Sequence, residues 1–167
     1  MYPNYLSFCF FICLVMSSLS FAQEDERGAI LETVEEFFTA IRTTDKQLLE
    51  SILVPDSLNI STSEVDGGAT QFTTLTYGNM VSVLTRPGRL AIERAWDETI
   101  LIQGSIAIFW APYDFHVDGE FSHCGVDSFQ LIKEGDKWLI TNASWTREIE
   151  NCQKSPLGPL DGTLTKE

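Results

Sequence analysis

The chain has 167 residues, with 24 Asp and Glu against 11 Lys and Arg and a formal net charge of −13. So acidic a chain excludes nucleic acid and anionic membrane surfaces as partners, because both carry charge of the same sign.

Phe8 to Val15 (FCFFICLV) form an apolar run, too short for a membrane-spanning helix of about 20 residues. Ser20 and Ala22 then stand where a small-x-small cleavage site needs them, so residues 1–22 are expected to be a signal peptide and the protein secreted or periplasmic. The run is preceded by no Lys or Arg, and a retained membrane anchor is the alternative. Neither Cys9 nor Cys13 is placed like a lipobox cysteine. The signal has no charged side chain, so the whole negative charge belongs to the remaining portion of about 145 residues, a length that suits one domain. Cleavage leaves Cys124 and Cys152, and an even pair in an oxidising compartment reads as a disulfide. Two cysteines make a poor zinc site and two histidines cannot build a three-histidine one, so no metal and no cofactor is expected.

From Glu26 to Ile41, apolar residues recur at three- and four-residue spacing (Ile30, Leu31, Val34, Phe37, Phe38, Ile41), the mark of an amphipathic helix. Asp45 can cap a second helix over Lys46–Leu53, stopped by Pro55. Short strands are expected at Ser57–Ser63 and Ala69–Leu75 around Gly67-Gly68, and a third helix at Thr76–Leu84. Four long strands then follow as an antiparallel meander: Ile92–Ile102, Ser105–Val117, Glu120–Ile132 and Lys137–Thr146. They are divided by Gln103-Gly104, Asp118-Gly119 and Glu134-Gly135-Asp136. Residues 153–167 read as a flexible tail. Asn59-Ile60-Ser61 and Asn142-Ala143-Ser144 match the N-glycosylation pattern and are read as chance matches.

Helices first and a long sheet afterwards imply an α+β domain whose sheet buries one face against the helices. The stretch from Glu26 to Cys152 resembles the NTF2-like superfamily, above all its SnoaL-like and lumazine-binding-like domains from bacterial exported proteins. The most specific segments are Trp110-Ala-Pro-Tyr113, His123-Cys-Gly-Val-Asp127 and Gly135-x-x-Trp138. The resemblance implies one domain over residues 23–152, shaped as a cone of N-terminal helices on a curved antiparallel sheet. It implies a pocket between the two layers and dimerisation through the sheet's outer face. It leaves function open, because the superfamily hosts isomerases, dehydratases, cyclases and domains with no known chemistry.

Two-residue turns at Gln103-Gly104 and Asp118-Gly119, with no bulge, pair Trp110 with Asp97 and Asp127, and Asp114 with Glu93 and His123. Period-2 alternation then puts all six on one face. Carboxylates so close repel, so one is expected to hold its proton and His123 to have a raised pKa. The candidate acid–base residues are therefore His123, Asp127 and Asp114. The candidate ligand contacts are Trp110, Asp97 and Tyr77, the last at the mouth of the pocket. The same pattern also describes a solvated face, with Ile92, Trp96, Ile100, Phe109, Tyr113, Phe115 and Val126 forming the core opposite. Trp138 and Trp145 are expected in the core or at its rim, and His116 is expected to be exposed near a turn. Three readings stay open: a binder of a small organic ligand, a cofactor-independent isomerase, dehydratase or cyclase with a His/Asp pair, or a non-catalytic dimerising or partner-binding protein.

Overall fold

The computed structural model describes residues 5–65 and 68–160, with side chains described for 24–64 and 68–160. The expectation of a signal peptide falls on residues whose side chains lie outside those described, and that of a flexible tail falls partly there, at 161–167. Three helices, α1 (Tyr5–Thr43), α2 (Lys46–Ile52) and α3 (Tyr77–Leu84), pack against a curved, unclosed sheet. Its strands are β1 (Leu58–Val65), β2 (Ala69–Thr76), β3 (Ala91–Ala95), β4 (Thr99–Gln103), β5 (Ile106–Val117), β6 (Glu120–Glu134) and β7 (Lys137–Arg147). The order is β2-β1-β7-β6-β5-β3, with β4 also on β5. The β1–β7 pair is parallel, so the sheet is mixed rather than wholly antiparallel. Among the described residues, no helix is long and apolar enough to cross a membrane.

The stripe read from the sequence is the buried side of α1: Ile30, Val34, Phe37 and Ile41 are all at most 3% exposed. It meets the sheet through aromatic rings, Phe37 lying 5.0 Å from Phe129 and Phe129 stacking on Phe109 at 5.5 Å. Burying such side chains contributes roughly 1.5–3 kcal/mol each. Polar contacts then fix the helix's position. Glu26 bonds Lys133 and accepts from Trp138 Nε1 at 2.8 Å, and Arg27 bonds Glu98 at 2.7 Å. Asp45 caps α2 and Thr76 caps α3 through their side-chain oxygens. Asn59, fully buried, ties β1 to β7 by accepting from Ala143 N at 2.9 Å.

Three expectations about the sheet are corrected. The strand expected over Ile92–Ile102 is two strands, because the chain turns at Asp97, whose φ is +49°. The hairpin after β4 turns on Gly104-Ser105, with Gln103 opposite Ile106, instead of on Gln103-Gly104. Between β5 and β6 the pairing starts as expected, Val117 with Glu120 and His116 with Phe121, and then slips by one residue at Ser122. A one-residue bulge exchanges the two faces of everything beyond it.

Candidate functional site

The bulge at Ser122 decides which side chains meet. Past it, Phe115 pairs with His123, Tyr113 with Gly125, Ala111 with Asp127 and Phe109 with Phe129. His123 and Asp127 therefore share the helix-facing side with Phe109, Tyr113 and Phe115. Glu93 joins them, since β3 sets it opposite Phe115. Glu93, Tyr113, Phe115, His123 and Asp127 line a cavity of about 270 Å³ between the sheet and the helices, walled on the helical side by Phe37, Met80 and Leu84.

The carboxyls of Glu93 and Asp127 are hydrogen-bonded to each other, which requires a proton on one of the two. Asp127 is 2% exposed, and its Oδ2 finds no N–H donor. Burial pushes Glu93 up to about 8, the bond to Asp127 pulling it down and the charge of Asp114 adding to the rise. Burial also carries Asp127 well above the usual carboxylate range, with Glu93 adding to it. The pair keeps at least one proton at neutral pH. Tyr113 donates its hydroxyl to Thr146 O at 2.8 Å, and burial beside those carboxyls raises its pKa.

His123 stacks on Phe115 with ring centroids 4.8 Å apart, and its Nδ1 lies 3.0 Å from Ser122 Oγ. Its pKa falls to about 4, first through burial and then through Arg147 and Arg89, so the ring is neutral at physiological pH. The expectation of a raised pKa is thus corrected: the bulge places His123 among rings and guanidiniums, not beside a carboxylate.

The expected six-residue face is divided. Asp114 lies on the outer face, bonded by Arg94 Nε and Nη2 at 2.8 and 2.6 Å, with His116 Nε2 3.3 Å from its Oδ1. Trp110 is on the outer face too, opposite Thr99 and Ser128, and is half exposed. Asp97 is exposed in the turn between β3 and β4. His116, expected to be exposed, has an 11% exposed side chain, its ring set edge-on to Phe121 at 5.8 Å. The apolar face expected as one is likewise shared out. Phe109, Tyr113 and Phe115 belong to the core under the helices, whereas Ile92 and Trp96 are buried outside it. Tyr77 packs against that core without lining the cavity, which Met80, Val83 and Leu84 reach from the later turns of α3. Trp138 is buried and Trp145 lines the cavity. Cys124 and Cys152 form the disulfide, attaching the segment after β7 to β6 one residue from His123.

Glu93 belongs to the expected face without a role there, and the sequence pattern alone singles out none of Arg89, Arg147 and Tyr113 as a site residue. The signal for Arg147 is parity, since it follows Trp145 by two residues on β7.

Known proteins with the same architecture are varied. An NTF2-like protein from Cytophaga hutchinsonii is 18% identical, with 72% of this chain and 97% of that one covered at a TM-score of 0.60. A conserved protein from Planctomyces limnophilus is 15% identical, with 73% and 95% covered at 0.61. A protein from Streptomyces avermitilis, described as a "putative dehydratase from the NTF2-like family", is 10% identical, with 76% and 99% covered at 0.57. These likenesses show the fold alone. No curated protein matches the sequence. A family model described as "Putative lumazine-binding" matches residues 25–146, and the chain belongs to that family.

Proposed function

We propose that the cavity binds a small, flat, partly aromatic organic molecule. The observation carrying this reading is the Glu93–Asp127 pair, Asp127 buried and Glu93 half-buried, set into an otherwise aromatic and aliphatic cavity wall. Two carboxyls in contact inside a core cost free energy that apolar residues would not, and such groups concentrate where a ligand uses them. About 270 Å³ is at the small end of ligand pockets, which run from about 300 Å³ upward, so the occupant has one or two rings. The family's description agrees with a small-molecule ligand. Trp145 in the cavity wall provides the test: a one- or two-ring ligand quenches or shifts its fluorescence, and Trp145→Phe removes the response. A library of such compounds that leaves both fluorescence and melting temperature unchanged contradicts the reading.

A second reading has its own observation, a proton-bearing carboxyl pair in the same cavity as a neutral imidazole. Cofactor-independent acid–base chemistry would use Glu93 and Asp127 as donor and acceptor, with His123 in the same cavity wall. The dehydratase activity ascribed to the Streptomyces avermitilis neighbour is in keeping with it. Asp114 has no part in this reading, because it sits on the opposite face.

The outer face carries Leu101, Ile106, Trp110 and Ile132 exposed side by side on β4, β5 and β6, which supports a homodimer closing over them. Export with removal of residues 1–22 remains part of the proposal, and the intact mass of the exported protein tests it.

A further inference from the structure

We infer that the ligand is a small aromatic carboxylate, its anionic group held by Arg89 and Arg147 at the histidine end of the cavity. This rests on the cavity being a ligand site and goes on to fix the ligand's charge and orientation. In a chain with 24 acidic and 11 basic side chains, arginines have carboxylates at hand. Arg27 takes Glu98 and Arg94 takes Asp114. Arg42 and Arg86 do not line the cavity. Arg89 and Arg147 do line it, and among the described residues neither makes an ion pair. Arg89 lies over the Phe115 ring at 5.5 Å, and Phe115 is the ring on which His123 stacks.

Both guanidiniums bear on His123, and neither forms an ion pair with Glu93 or Asp127. The cavity has two electrically distinct ends: two cations with the Ser122 hydroxyl at one, a proton-sharing carboxyl pair at the other, and rings between. Its complement is a flat molecule with one carboxylate and, at the far end, a hydroxyl or amino group for Glu93 and Asp127. A guanidinium's planar fork matches a carboxylate in two-point contact. A second carboxylate on the ligand would meet the acid pair, which selects a monoanion.

The test compares 4-hydroxybenzoate with its uncharged isostere 4-hydroxybenzamide by calorimetry at low salt, on the wild-type protein, Arg89→Gln, Arg147→Gln and the double variant. The carboxylate is expected to bind about tenfold or more tightly than the amide. Each substitution should narrow that preference, and the double variant should lose it. Amide binding equal to or tighter than carboxylate binding in the wild type, or an undiminished preference in the double variant, overturns the anion assignment and leaves the cavity reading standing. Binding of neither compound overturns both.

Discussion

Glu93 and Asp127 sit on strands that do not touch, β3 and β6, yet their carboxyls are bonded to each other across β5. Charging both at once in that space is unfavourable, so the pair links the protein's stability to pH. Both carboxyls have a higher pKa folded than unfolded, and their contribution is present at low pH and lost as pH rises through the folded value of about 8. His123 and His116 have lowered folded pKa values and act in the opposite sense, but only below the unfolded histidine value near 6.5. Above about pH 6.5 the carboxyl pair dominates. The melting temperature should fall from neutral pH toward pH 9, and Asp127→Asn should flatten that decline. Melting curves at closely spaced pH values measure it.

Gly125 is required by the way β7 closes over β6. A Cβ there would lie 2.1 Å from Thr146 O and 2.6 Å from Thr146 Oγ1. That carbonyl is the one receiving the Tyr113 hydroxyl, and Thr146 Oγ1 accepts from Val126 N at 2.9 Å. Gly125→Ala is expected to destabilise by about 1–3 kcal/mol through overpacking, and Tyr113→Phe by about 1 kcal/mol through the lost hydrogen bond. Urea unfolding of both variants compares the two.

The disulfide spans 28 residues, and in the chain-entropy model a loop of that size contributes about 3–4 kcal/mol. Replacing Cys124 and Cys152 together by Ser should lower the unfolding free energy by roughly that amount. A reductant should destabilise the wild type and leave the double variant unaffected.

The two faces of the sheet predict opposite behaviour for two large aromatics. Phe129→Ala removes a ring packed between Phe37 and Phe109 and should cost about 3–5 kcal/mol. Trp110→Glu, on the exposed patch, should leave the unfolding free energy of the subunit within about 0.5 kcal/mol. It should also convert the proposed dimer to monomer in sedimentation velocity.

Helices and strands were legible in the sequence because each rests on local pattern: the apolar stripe of α1, the cap at Asp45, and glycine-bearing turns between β-branched runs. Faces were less legible, because parity accumulates along the chain. A single extra residue, Ser122, moves Asp127 from the side of Trp110 to the side of Phe109. The hairpin at Gly104-Ser105 and the turn at Asp97 likewise alter the pairing of Glu93. No local signal marks Ser122 as the bulge; the ladder slips there because His123, Asp127 and Phe129 take the helix-facing side. Asp127 thus lies under the helices with His123 and Glu93, while Asp114 and Trp110, expected beside it, lie on the other face.

The most direct test follows the side-chain carboxyl carbons of Glu93 and Asp127 by NMR across pH, with Asp127→Asn and Glu93→Gln for assignment, before and after addition of 4-hydroxybenzoate. The expected result is a pair that still holds a proton at pH 7, with a midpoint near 8 for Glu93, and carboxyl signals that shift when the ligand is added. Two carboxyls titrating near the ordinary value of about 4, with signals indifferent to the ligand, would contradict the account of the cavity as a binding site built around a shared proton.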